Sequence, residues 1–190
     1  MATQEERRAT TRAVLMEAGR ALFVEKGFGG TGTPEIVRAA GVTRGALYHH
    51  FGGKADLFRA VARAEADAVG EAIAEATEGL ALDDALEAGT RGYLDAMQAP
   101  GRARIMLVEA QAALGPAEAL GLLRSDGTAA LEAAFASVVE DEEREALVDL
   151  LSAAFDRAAL RVAEGEDRRT VEAAALGILR AVGHATAPRP

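Results

Sequence analysis

Gly27, Gly29 and Gly32 stand within GFGGTGTPEI at the G-x-G-x-x-G spacing of a turn that cradles phosphate. In a dinucleotide-binding protein such a turn follows a β-strand and opens a long helix. An acid about 20 residues further on then takes the ribose. None of these conditions is met. Upstream, Val14, Leu15, Ala18, Ala21 and Leu22 recur at helical spacing, which predicts an amphipathic helix where a strand is required. Downstream, Thr33 caps a helix with Pro34 and Glu35 in its first turn, and Gly41 ends it after about two turns, too short for a crossover helix. The ribose position reads YHHFGG, without an acid. The glycines instead let the chain turn between helices, with Gly27 able to end the first at positive φ.

Metal chemistry fails a similar test. His49 and His50 are neighbours, and adjacent helical side chains diverge by about 100°. No cysteine occurs in the chain to complete a ligand set. His50 is expected to pack half-buried, and His184 to lie at a surface or an interface. The chain also lacks a nucleophile elbow, an HExxH pair, a phosphate loop with GK, and histidines placed for a triad. No cofactor is expected.

Thr43, Arg44, Gly45, Tyr48 and His49 offer a different chemistry. TPEIVRAAGVTRGALYHHFGGKADLF reads as helix, tight turn, helix, short connection, helix, with Gly41 and Val42 in the turn and Thr43 capping the second helix. On that helix Ala46, Leu47, His50 and Phe51 fall on one half, and Arg44, Gly45, Tyr48 and His49 on the other. An exposed face of this kind suits a DNA major groove: Arg44 can reach guanine O6 and N7 or a phosphate, and Gly45 permits close approach of the backbone. Thr33 and the first amides of its helix can hold a phosphate, and Lys54 can clamp another.

Residues from about 9 to 60 resemble the DNA-binding domain of the TetR family of transcriptional repressors. The likeness rests on an apolar first helix ending in LFVEKGF, Thr31 and Thr33, EIVRAAGVTRGALYHHF, and Lys54 with Leu57. It implies DNA contacts at Thr33, Thr43, Arg44, Gly45, Tyr48, His49 and Lys54. Gly32, Pro34 and Gly52-Gly53 depart from the usual pattern, which leaves the phosphate contacts near those turns open.

Composition agrees with an all-α chain: alanine and leucine abound, aromatics make up 4%, and β-branched runs are missing. The net charge of −9 argues against a nucleic-acid partner until its distribution is seen. Residues 1–60 carry nine Lys or Arg against six Asp or Glu, and the other 130 carry twelve against twenty-four. Positive charge is confined to the region with the motif. Nineteen arginines against two lysines, with so much alanine, suggest a GC-rich bacterial genome. The N-terminus MATQEERRATTRA lacks an apolar h-region, and no run approaches the roughly 20 apolar residues of a membrane span. With no cysteine, a cytoplasmic protein with no membrane partner is expected.

The organisation expected is a three-helix helix-turn-helix domain over 1–53 and a helical effector-binding and dimerisation domain over 54–190. Helices are expected from Lys54 to about Gly79, then over 84–98, 100–114, 116–139, 141–164 and 167–185, with a disordered APRP tail. Leu147, Leu150, Leu151, Ala154, Phe155, Ala158 and Val162 form one apolar stripe, and Val171, Ala174, Ala175, Ile178, Leu179 and Val182 another. Periodicity alone leaves both an internal core and an interface open. The resemblance implies that these helices meet their symmetry mates in a four-helix bundle, so that a homodimer reads a palindromic operator in double-stranded DNA. It also implies a cavity for an unidentified small-molecule effector, with Tyr93, Met97, Met106, Glu109, Gln111 and Phe135 as candidate contacts. Each is also an ordinary core or surface residue by type. A regulator is the first reading; activation, or release by another protein, stays open beside repression. A helical-bundle enzyme or small-molecule binder with a vestigial helix-turn-helix is the alternative. A nucleoid protein should be basic overall, and this chain is acidic.

Overall fold

The computed structural model describes residues 3–123, 126–136 and 139–186, and no strand occurs among them. Ten α-helices follow one another: α1 (Gln4–Gly30), α2 (Thr33–Ala39), α3 (Arg44–Phe51), α4 (Lys54–Thr77), α5 (Leu82–Ala96), α6 (Ala110–Leu114), α7 (Pro116–Leu123), α8 (Asp126–Phe135), α9 (Asp141–Ala163) and α10 (Arg168–Thr186). Residues Arg104–Glu109 wind as a π-helix that runs into α6. Of the single helix expected over 116–139, α7 and α8 are described, and residues 124–125 between them lie outside the described residues. The APRP tail and the side chain of His184 lie outside the described residues.

The chain divides into two compact units. One comprises Met1–Glu65 with Arg104–Leu123, the other Ala66–Ala103 with Arg124–Pro190. The division differs from a cut after residue 53: the first half of α4, the π-helical segment, α6 and α7 all belong with the N-terminal helices.

In the first unit α1 is the central element. Leu15, Leu22 and Phe23 face its core, and Gly19 admits α4, because a Cβ there would stand 2.9 Å from Leu57 Cδ2. Phe23 and Phe28 meet Phe58 edge-on, with ring centroids 5.1 and 5.2 Å apart. Such pairs add about 0.5–1.5 kcal/mol each to the burial of the rings. Near the middle of α1, Arg20 Nε donates to Glu65 Oε1 at 2.5 Å, and Glu65 is only 6% exposed. A carboxylate so far from water needs such a partner. Lys26 pairs with Glu35 and ties α1 to α2; the hydrogen bond between them holds the Glu35 carboxyl below its usual range.

In the second unit α5, α8, α9 and α10 pack together. Leu94, Met97, Leu131, Phe135, Val148, Leu151, Phe155, Val171, Ala175 and Leu179 are buried there. Gly92 of α5 lies against Ala76 and the Ala72 carbonyl, where a Cβ would meet them at 2.9 and 3.3 Å. Ion pairs between helices lie at the surface: Arg168 with Asp95 at 2.6 Å, Arg180 with Glu87 at 2.5 Å, and Arg91 with Glu172 at 2.8 Å. Exposed pairs of this kind contribute little singly, so burial of the apolar side chains carries the unit. Among the described residues no helix is long and apolar enough to cross a membrane.

Candidate nucleic-acid interface

The short helix α3 is anchored on one side and open on the other. Leu47 and Phe51 are buried, Ala46 and His50 half-buried, and Arg44, Gly45, Tyr48 and His49 exposed. Thr43 caps the helix, its Oγ1 accepting the Ala46 N–H at 3.2 Å. The cap fixes the first turn, so the residues after it project from a defined backbone. Arg44 and Tyr48, one turn apart, stack: the guanidinium carbon lies 5.4 Å from the ring centroid, and Nη2 donates to the Tyr48 hydroxyl at 3.4 Å. The ring steers the guanidinium while leaving most of its donors unused. Burial, and then the charges of His49, Arg8 and Arg12, hold His50 below the usual imidazole pKa.

Two positions differ from expectation. Gly32, not Thr33, is the N-cap of α2; Thr33 is the first helical residue, and no side chain caps that helix. Thr33 is half-buried. Lys54 is half-buried too, its Nζ donating to the carbonyls of Phe28 at 2.8 Å and Thr31 at 2.9 Å, and lying 4.1 Å from the Phe28 ring centroid. It joins the start of α4 to the end of α1 and retains one N–H for a phosphate. The sequence offers Lys54 as a clamp for DNA; folding also makes it a clamp for the protein.

The model for bacterial regulatory proteins of the tetR family matches residues 15–61, and that for the tetracyclin repressor-like C-terminal domain matches residues 84–185. The chain belongs to the TetR family. It is a DNA-binding transcriptional regulator of a family that is not enzymatic, which removes the helical-bundle enzyme. The HTH-type transcriptional repressor AcnR of Corynebacterium glutamicum is 38% identical over 65 residues, 34% of this chain and 35% of that one. The HTH-type transcriptional regulator AcrR of Shigella flexneri is 42% identical over 69 residues, 36% of this chain and 32% of that one. The match spans about a third of the length of these relatives. A TetR-family regulator from Pectobacterium atrosepticum, 28% identical with all of both chains covered, superposes with a TM-score of 0.69. A transcriptional regulator from Rhodococcus sp. Rha1, 22% identical over 94% of this chain and 99% of that one, shares the fold at a TM-score of 0.73.

The residues that the TetR-family resemblance offers for an effector fall into both compact units. Tyr93, Met97 and Phe135 belong to the second, and Met106, Glu109 and Gln111 to the first. Met97, Met106 and Phe135 are buried and Gln111 is exposed. Glu109 is engaged: its carboxylate accepts the Phe28 N–H at 2.8 Å and binds Arg104 Nε at 3.2 Å. The half-buried Tyr93 donates its hydroxyl to Asp156 Oδ1 at 2.6 Å, and burial followed by the Asp156 charge raises the phenol well above its ordinary pKa. Asp156 is itself pushed up by burial. Sequence reading passed over Asp156 because a single Asp in an amphipathic helix reads as solvated; only the packing of α9 on α5 brings the hydroxyl to it.

The stripes on α9 and α10 divide in the same way. Leu151, Phe155, Ala158, Val171, Ala175 and Leu179 are buried within one subunit. Leu147, Ala154, Val162 and Val182 are half-buried, whereas Leu150 at 71% and Ile178 at 46% stand exposed, with Ala174 exposed beside Ile178. The first six complete the subunit's own core. They leave Leu150, Ala174 and Ile178 as exposed apolar surface of the single chain.

Proposed function

We propose that this TetR-family regulator is a repressor that binds a palindromic operator as a homodimer and leaves it when a small-molecule effector binds. The observation that carries the reading is the exposed row Arg44, Gly45, Tyr48 and His49 on a helix whose opposite side is locked by Leu47 and Phe51. Arg44 reads a guanine or a phosphate, while Thr43, Thr33 and the remaining Lys54 donor hold backbone phosphates. Two copies are required because one helix of this length covers only a few base pairs. The exposed Leu150, Ala174 and Ile178 supply the surface on which the copies meet.

Effector response follows from population shift: a molecule with higher affinity for a dimer whose reading helices are wrongly spaced lowers DNA affinity by that differential. Tyr93, Met97 and Phe135, all of the second unit, are its candidate contacts, and residues 54–190 carry response and dimerisation. Glu109 is withdrawn from this set because its carboxylate is engaged by Phe28 and Arg104. A DNA-binding regulator of this kind acts in the cytoplasm.

The test is a mobility shift on the duplex preceding the protein's own coding sequence, with salt varied. Arg44→Ala should weaken specific binding by about 1–3 kcal/mol where the arginine reads a guanine. Parent-like affinity in both Arg44→Ala and Tyr48→Ala would remove α3 from the interface.

A further inference from the structure

An open groove lies between the first turns of α1 and the end of α3, lined by Arg7, Arg8 and Arg12 with His49 and His50, and bordered by Glu5. The three arginines are exposed, and none has a carboxylate within ion-pair distance among the described residues. Arg20, Arg59, Arg91, Arg104, Arg144, Arg161, Arg168 and Arg180 each pair with an acid. In a chain of net charge −9, guanidiniums kept clear of carboxylates leave a local excess of positive charge.

The groove is also stiff. Thr3 and Glu6 close a capping box at the start of α1, Glu6 N–H to Thr3 Oγ1 at 3.2 Å and Thr3 N–H to Glu6 Oε2 at 2.7 Å. The first turn, which holds Arg7, therefore does not fray as a loose arm would. Arg12 lies over the Phe51 ring with its guanidinium carbon 5.1 Å from the centroid, which ties α1 to the buried side of α3. Arg8 and Arg12 stand one turn apart, about 6 Å along the axis. Moreover, His49 lines this groove and also belongs to the exposed face of α3, so the groove continues the reading surface without a break.

We infer that this groove binds the sugar-phosphate backbone of the same duplex that α3 reads, so that α1 contributes a second line of phosphate contacts through Arg7, Arg8 and Arg12. The inference rests on the proposed reading of α3, and it names a recognition surface that the helix-turn-helix motif does not contain. A continuous positive groove beside a reading helix matches the charge of a duplex backbone.

Salt dependence tests it, because every phosphate left without its cation lowers the slope of log affinity against log salt by roughly 0.9. The probe is a mixed-sequence duplex three helical turns long, titrated against the full-length protein across a fivefold range of salt. Arg7→Ala/Arg8→Ala, which leaves Arg12 on Phe51, should flatten the slope by up to about 2 per bound subunit, and adding Arg12→Ala by up to about 3 per subunit, twice that for a dimer engaged through both copies. Arg161→Ala, in the other unit and paired with Glu166, should keep the parental slope. Parental slope and affinity in the double and triple variants, while Arg44→Ala still weakens binding, would overturn the groove and spare α3. So would variants that keep DNA binding but lose adhesion to anionic phosphatidylserine vesicles, since the groove would then serve a membrane. A parent that binds no duplex even in dilute buffer would overturn both.

Discussion

Glu109 accepts the Phe28 N–H at 2.8 Å across 81 residues of chain. Gly27, at φ 73°, breaks the helical path of α1 just before Phe28, so that amide has no carbonyl of its own turn to use. Glu109 takes it, and Arg104 completes the joint by binding Glu109 while Nη1 donates to the Val24 carbonyl at 3.1 Å. A side chain at position 27 would have to take a left-handed backbone and enter space held by Glu109 Oε1, 2.6 Å from where its Cβ would lie.

Removing this carboxylate should therefore unpair the amide and free the arginine together. Glu109→Ala is expected to destabilise by about 1–3 kcal/mol, with Glu109→Gln losing less because its amide oxygen still accepts the bond. Denaturant unfolding measures the loss, and hydrogen exchange at the Phe28 amide localises it. Exchange as slow as in the parent would show that the bond does not protect that amide.

The approach of α1 to α4 at Gly19 leaves no room for a methyl group against Leu57. Gly19→Ala offers better helix propensity by about 1 kcal/mol, yet overpacking costs about 1–3 kcal/mol. A net loss in thermal stability is expected, relieved in the double variant Gly19→Ala/Leu57→Ala relative to the sum of the singles. Additivity of the two would deny that the side chains touch.

Asp156 has its pKa raised in the folded protein by burial, against which the Tyr93 hydroxyl donates. The folded state therefore holds a proton there at pH values where the unfolded chain has lost it. The resulting stability is complete below the ordinary carboxylate pKa and declines as pH rises through the raised one. Asp156→Asn keeps an acceptor for Tyr93 and lacks the titration. Its stability relative to the parent should increase with pH across that window and then level off in urea melts. A constant difference between the two would count against the shift.

Leu150 and Ile178 are exposed in the single chain and should be covered in the dimer. Ile178→Glu or Leu150→Glu is expected to yield monomer by analytical ultracentrifugation, with the subunit's own stability changed by less than about 0.5 kcal/mol. Operator affinity should fall in parallel. Variants that remain dimeric would place the interface elsewhere.

Much of the fold is legible in the chain's local pattern. The helices of the first sixty residues, the turn at Gly41 and Val42, the Thr43 cap and the division of α3 into Leu47 and Phe51 against Arg44 and Tyr48 all follow from local rules of period, propensity and capping. The second role of Lys54 is less plain, because nothing local points its ammonium at the carbonyls of Phe28 and Thr31.

Local pattern determines which side of a helix is apolar, and so the sequence by itself specified an all-α chain with a Thr43-capped helix anchored on one side and positive charge near its N-terminus. It could not say what covers each apolar side or which partner each charge takes, because those depend on residues distant in the chain. Tertiary packing alone decided that Leu151, Phe155 and Leu179 fill their own subunit while Leu150 and Ile178 stay open. Packing likewise turned Lys54 towards the carbonyls of Phe28 and Thr31, drew Glu109 to a broken helix end 81 residues away, and left Arg7, Arg8 and Arg12 free of acids beside α3. A helical period repeats within one segment, whereas the partner of a buried or charged group is fixed only when the segments meet.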